Sequence, residues 1–290
     1  MRIAVYGSEY QDGHFDSISR LFDSLSHYNA WVEIESSFYD YLCSKLPAPP
    51  VVNDVITDND FSAAIALSIG GDGTFLRTTQ WVAHKGIPIL GINTGHLGYL
   101  TGADMSDIDE VIKELFSDRY KIETRTMLQV TNNAGVKFEH PYALNEVTVL
   151  KQDTSAMLTM HASVNGTDLT SYLGDGLILS TPTGSTAYNL SVGGPIMEPS
   201  THCWVLSPIS PHSLTMRPVV LRDDTVVKIT TKSRVDLYRV SIDGRSFSCP
   251  SGSSIEVSKA PFSAKVIQRL NHNFADTLRN KLMWGMNNKR

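Results

Sequence analysis

The chain has 290 residues, 41% hydrophobic and 19% charged, which excludes a disordered protein and allows one large domain or two ordinary ones. Its net charge of -5 argues against a nucleic-acid coat, but not against anionic small molecules, which need only local cations. Cys43, Cys203 and Cys249 lie far apart with no C-x-x-C pair, so a structural zinc site is not expected and a reducing, cytoplasmic address is.

No apolar run approaches the ~20 residues of a membrane span, so no membrane partner is expected. Met1 to Gly7 enters a strand pattern without the apolar core of a signal peptide. Ile3 to Tyr6 reads as a strand, and Phe15, Ile18, Leu21, Phe22 and Leu25 form one helical stripe. Pro47, Pro49 and Pro50 mark a loop. The next strand is Ile65 to Ile69, which meets Gly70-Gly71-Asp72-Gly73-Thr74 and then a helix from Phe75 to His84. Ile89 to Ile92 reads as a strand ending in Asn93-Thr94-Gly95-His96-Leu97-Gly98, and Ile108, Val111, Ile112, Leu115 and Phe116 repeat at helical spacing. This alternation predicts a Rossmann-like parallel sheet flanked by helices.

After about Lys121 the texture changes. Leu158, Met160, Ala162 and Val164 alternate with polar residues and end at Asn165-Gly166, a hairpin signal. Tyr238, Val240 and Ile242 alternate again before Asp243-Gly244, and Val226 to Ile229 and Ile255 to Val257 are further short strands. These runs predict a β-rich, sandwich-like second domain. Phe274, Leu278 and Leu282 predict a closing helix. The expected division is an α/β domain over 1–122, a β-rich domain over 123–265, and a C-terminal helix or tail over 266–290 that packs back on the first domain.

Four clusters carry chemistry. In the first, glycines and a new helix N-terminus suit a phosphate, but Asp72 repels one and needs another role, either taking a proton or holding a metal. An isolated Asp-Gly pair is often only a turn; the strand before and helix after favour a site. The second is Asn145-Glu146 between apolar residues, either a solvated edge or a grip on ribose hydroxyls or a base edge. The third runs from Asp175 to Tyr188, an apolar strand followed by Ser180-Thr181-Pro182-Thr183-Gly184-Ser185-Thr186, with more hydroxyls than a helix cap explains. The fourth, Pro208 to Leu214, contains His212, which by itself reads as a structural histidine. Neither a P-loop nor a G-x-G-x-x-G fingerprint is present.

In this order and spacing the clusters, with Gly193-Gly194-Pro195 and Asp243-Gly244, resemble the motifs of the NAD kinase family. The resemblance implies phosphoryl transfer from ATP to the adenosine-ribose 2′-hydroxyl of NAD, a divalent metal such as Mg²⁺, and a homodimer or homotetramer. Asp72 is the expected general base. Gly71, Gly73 and Thr74 would hold the donor phosphates, and Arg77, expected at the same mouth, would pair with a phosphate of either nucleotide. Carried over by position, Asn145 and Glu146 would hold ribose hydroxyls and Asp175 the nicotinamide end. Thr186, Ala187, Tyr188, Asn189, Leu190 and Ser191 would contact the dinucleotide.

Ala156 and Arg245 depart from the family pattern, and Arg245 would add positive charge or alter oligomer contacts. A related sugar or lipid kinase and a non-catalytic NAD(P) sensor are the competing readings. A sugar or lipid kinase would share the first cluster but need not carry Asn145-Glu146 or the Thr181–Tyr188 run, and a sensor has no use for Asp72.

Overall fold

A computed structural model describes residues 1–95, 98–152 and 157–285. The chain divides into two compact units, one of residues 1–124 and 264–290, the other of residues 125–263.

The first unit is built on a mostly parallel sheet. Its elements begin β1 (Arg2–Gly7), α1 (Phe15–His27), β2 (Trp31–Glu35), α2 (Ser36–Lys45), β3 (Asp54–Ile56), β4 (Ile65–Ile69) and α3 (Asp72–Val82). They continue with β5 (Ile89–Asn93), β6 (Ala103–Asp104), α4 (Ile108–Phe116) and β7 (Tyr120–Arg125). The stripe read from α1 packs as expected: Ile18, Leu21, Phe22 and Leu25 are all buried, as are Ile108, Val111, Ile112 and Leu115 of α4. Strands β4 and β5 are buried along their whole length, the mark of a central parallel strand covered on both faces.

Several elements escaped the sequence pattern, β2 and α2 among them. In β2 the apolar run of a covered strand is interrupted by Glu33, which is buried and pairs with Arg2 at 3.2 Å. In α2 only Phe38 and Leu42 are buried, too few for a visible stripe. Its N-cap is Glu35, an unusual capping type, whose carboxylate accepts from the N–H groups of Ser37 and Phe38.

The second unit holds β8 (Leu128–Asn132), β9 (Tyr142–Ala143), β10 (Glu146–Lys151), β11 (Leu158–Val164), β12 (Thr167–Gly174), β13 (Gly176–Ser180) and the single turn α5 (Tyr188–Ser191). Then come β14 (Cys203–Ile209), β15 (Val219–Arg222), β16 (Val227–Lys232), β17 (Leu237–Ile242), β18 (Arg245–Pro250) and β19 (Ser254–Lys259). They form two six-stranded sheets, ordered β15-β14-β13-β10-β17-β18 and β12-β11-β16-β19-β8-β9. One apolar core, including Leu158, Met160, Leu177, Trp204, Tyr238 and Ile255, draws on both sheets, so the unit is a sandwich. The hairpin turns fall where the sequence puts them. Asn165 and Gly166 have φ of 50° and 78°, and Asp243 and Gly244 have 45° and 82°.

The chain then returns to the first unit. Residues 266–269, expected in a helical tail, belong instead to β20 (Ala264–Arg269), which joins the first sheet beside β5 through Val266 and Ile89. Its buried residues Ala264, Val266, Ile267 and Gln268 do not keep the two-residue alternation of a half-covered strand. The closing helix α6 (Phe274–Leu282) follows, capped by Asn273. The first sheet is thus ordered β3-β2-β1-β4-β5-β20-β7, with β6 added against β5.

Candidate active site

In the first unit the glycine turn bends the chain from β4 into α3. Gly70 has φ of 145°, and a Cβ there would collide with the Thr74 hydroxyl, so this position needs glycine for the fold itself. Gly71 and Gly73 differ: a Cβ at either meets nothing within 4 Å. Helix α3 starts at Asp72, three residues before the expected Phe75, because Gly71 serves as N-cap and its carbonyl accepts from Thr74 and Phe75. Asp72 therefore stands in the first turn, where a carboxylate is favoured by the helix dipole and the early N–H groups lack a helical partner.

The Asp72 carboxylate is held from outside the helix. Oδ2 accepts the Tyr99 N–H at 2.7 Å and Oδ1 accepts the Leu100 N–H at 2.9 Å. Gly98 makes this possible, since any Cβ there would collide with Oδ1. The glycine at the end of the Asn93–Gly98 run is thus a partner of the acid. Nothing in the sequence ties the two, which lie 26 positions apart.

Two expected phosphate ligands in this unit sit differently from the sequence reading. Thr74 is buried and its N–H is committed to the Gly71 carbonyl. Arg77 lies five residues after Asp72, about 140° away around the helix, so the two do not share a face. Arg77 lines a cleft of about 80 Å³ with Tyr6, Glu35, Ser37 and Thr74. Burial first, and Glu35 and Glu33 second, push the Tyr6 hydroxyl far above its ordinary pKa.

In the second unit Asp243 organises the Asn145-Glu146 segment. From its left-handed turn position its carboxylate accepts the N–H groups of Leu144 at 2.7 Å, Asn145 at 2.9 Å and Glu146 at 3.0 Å. The sequence marked Asp243 as half of a turn; its second role is to brace this segment. Asn145 Oδ1 and Glu146 Oε2 are buried without a hydrogen-bond partner. Burial, then the nearby Asp243 charge, pushes the Glu146 carboxyl up to about 8. Burial raises Asp243 as well, and the three N–H donors and the Arg245 charge oppose that rise.

The hydroxyl-rich run mostly serves the fold. Thr181 Oγ1 donates to the Leu144 carbonyl at 2.6 Å and accepts the Gly184 N–H at 3.1 Å. Ser185 Oγ donates to the Pro182 carbonyl at 2.7 Å and accepts the Met197 N–H at 3.0 Å. A Cβ at Gly184 would collide with the Asn145 carbonyl, so this run and Asn145 are locked together.

Asn189, expected to face the dinucleotide, is fully buried. Its amide donates to the carbonyls of Ser185 and Pro195 and its oxygen accepts from Ser207. Tyr188 and Ser191 are exposed, and Thr186, Ala187 and Leu190 are half-buried. Asp175 is taken by Lys151 in a 2.6 Å ion pair. Arg245 is no surface charge: its guanidinium is turned inward, donating to the carbonyls of Glu139, His140 and Tyr142. Ala156 lies outside the described residues.

A family model described as the ATP-NAD kinase N-terminal domain matches residues 29–120, and one described as its C-terminal domain matches residues 144–269. The chain belongs to the NAD kinase family. It is 41% identical to the NAD kinase of Bacteroides fragilis over 289 residues, covering 100% of both chains. It is also 41% identical to that of Porphyromonas gingivalis over 284 residues, covering 98% of each. Among solved structures it resembles an Archaeoglobus fulgidus NAD kinase in complex with ATP, with a TM-score of 0.75 and 26% identity, over 96% of this chain and 99% of that one. A yeast NADH kinase complexed with NADH shares the fold at a TM-score of 0.88 and 21% identity, over 99% of this chain and 88% of that one. A sugar or lipid kinase is not favoured by these relatives.

Proposed function

We propose that this NAD kinase family member transfers the γ-phosphoryl group of ATP to the adenosine-ribose 2′-hydroxyl of NAD, giving NADP. The observation that carries the reading is the Asp72 carboxylate, fixed by two backbone N–H groups and flanked by two glycines whose Cβ positions are open. The fold does not require glycine at Gly71 or Gly73, whereas close approach of a triphosphate to the backbone does.

Each Asp72 oxygen accepts one N–H and keeps a second lone pair for the ribose hydroxyl. The hydroxyl gives its proton to Asp72 as its oxygen bonds to the γ-phosphorus and the bond to the β-phosphate breaks. Such transfer depends chiefly on position and charge neutralisation, so a carboxylate suffices as base. The N–H groups of Asp72 and Gly73 at the start of α3 neutralise donor phosphate charge. Asn145 Oδ1 and Glu146 Oε2, the unpartnered pair, accept from ribose hydroxyls of NAD. Tyr188 and Ser191 contact the dinucleotide from the accessible side of α5 and Thr186 from the turn before it, while Asn189 holds α5 in place.

Among the described residues no group of three or more His, Cys, Asp or Glu side chains is placed to hold a metal. Mg²⁺ at such sites takes one or two carboxylates, water and substrate phosphates, so it would come as part of the ATP complex, with Asp72 the acid in the glycine turn that could take it. We read the protein as a cytoplasmic homodimer or homotetramer; the free Cys43, Cys203 and Cys249 fit a reducing compartment. Among the described residues no helix is long and apolar enough to cross a membrane.

The test is an acceptor and donor panel with wild type and Asp72→Asn, products resolved by chromatography. Wild type should phosphorylate NAD with MgATP, and loss of the base should lower the rate by ~10²–10⁴-fold. A folded Asp72→Asn enzyme with near-full activity would overturn the base assignment.

A further inference from the structure

We propose that Lys281, on the closing helix α6, is a positioning residue for Asp72 and acts through the turn that holds it. The inference rests on Asp72 being the base. Helix α6 lies beyond residue 269, where the match to the C-terminal family model ends.

Lys281 Nζ donates to the Thr101 carbonyl at 3.3 Å and lies 5.7 Å from the centroid of the Tyr99 ring. These two residues flank Leu100, and the N–H groups of Tyr99 and Leu100 are the two that grip Asp72. One ammonium therefore pins both ends of the three-residue segment on which the acid hangs. Gln268 of β20 packs against Gly102, the next residue, and closes the other side of the turn.

A half-buried ammonium needs compensation for lost water. The carbonyl, the aromatic face and the field of Asp72 supply it. Burial lowers the Lys281 pKa, and the Asp72 charge opposes that fall. Tyr99 and Asp72 are ionisable groups that act on this ammonium, and the cleft it lines also holds Asp104, Asp107, Arg269, His272 and Asp276. No ion pair joins Lys281 to Asp72 directly, so the lysine works through the backbone it anchors.

The experiment uses full-length Lys281→Met, Lys281→Gln and Lys281→Arg, each in wild-type and Asp72→Asn backgrounds, with steady-state kinetics for NAD and MgATP and thermal melts. Loosening the turn should lower kcat by about 10- to 100-fold while both KM values stay within about twofold. Lys281→Arg should recover most of kcat. In the Asp72→Asn background the Met and Gln changes should cost no further activity, because the group they position is gone.

Three results would overturn the proposal. One is full kcat in Lys281→Met and Lys281→Gln. Another is a raised KM for ATP at unchanged kcat, which would make Lys281 a phosphate ligand. The third is an equal loss in both backgrounds, which would make it a structural support only; a melting point near the assay temperature for Met and Gln, with no kcat gain in Arg, counts with this result. Failure of the Asp72 reading shows separately, as retained activity of Asp72→Asn with Lys281 intact.

Discussion

Glu146→Gln should make the protein more stable and less able to hold NAD, with the gain growing as pH rises. The Glu146 carboxyl is pushed from 4.5 to about 8, first by burial and then by Asp243. A carboxyl raised on folding keeps its full contribution to stability below its unfolded pKa and loses it as pH climbs through the folded one. Each pH unit in that window costs about 1.4 kcal/mol, so the whole interval is worth at most about 5 kcal/mol. Between pH 5.5 and pH 8 the ceiling is about 3 kcal/mol, and with partial solvent access roughly 1–3 kcal/mol is the expected loss.

Gln keeps the shape and has no proton to lose, so this slope should vanish. Urea or thermal unfolding at pH 5.5 and 8, with both proteins in the same buffers, measures the difference. NAD titration should show the opposite sign, because an ionised carboxylate accepts from ribose hydroxyls more strongly than a protonated carboxyl or an amide; wild-type affinity should rise towards pH 8, whereas that of the Gln variant should stay lower and flat with pH. Parallel stability curves for the two proteins would refute the argument, since they would mean Glu146 carries no excess proton in the folded state.

Three further outcomes follow from the same geometry. Gly98→Ala puts a methyl group against Asp72 Oδ1; kcat should fall by about 10-fold or more while circular dichroism stays unchanged. Gly184→Ala forces a Cβ onto the Asn145 carbonyl, and chemical denaturation should report a loss of about 1–3 kcal/mol together with weaker NAD binding. Chelation of Mg²⁺ should abolish turnover without lowering the melting temperature of the nucleotide-free protein, because the ion is placed with ATP and not in a protein cage.

Much of the fold was legible because its signals are local. The stripes of α1 and α4, the buried runs β4 and β5 and the Asn165-Gly166 turn each sit within a few residues of one another. Elements that escaped depend on distant partners. Glu33 is tolerated in β2 through Arg2, and β20 becomes a strand by pairing with β5, over 170 residues earlier in the chain. The candidate site divides the same way. Asp72, Asn145 and Glu146 stand out because an acid among glycines, or a polar pair inside an apolar run, conflicts with its surroundings. Gly98, the bracing role of Asp243 and Lys281 carry no such conflict. Their meaning lies in a contact with a residue far away in the chain.

Three acids in this chain show how backbone donors set one functional group to different uses. Asp243 receives three N–H bonds and is spent as a brace, so it has little left to offer a ligand. Glu146 Oε2 receives none, and burial pushes its carboxyl up to about 8. Asp72 receives two, one per oxygen, which orients it without exhausting its lone pairs. A general base needs this intermediate provision: enough donors to hold one geometry, and a free lone pair on the atom that takes the proton. By that criterion, adding a donor to Asp72 would harm catalysis as surely as removing one, and the glycines around it keep side-chain donors out.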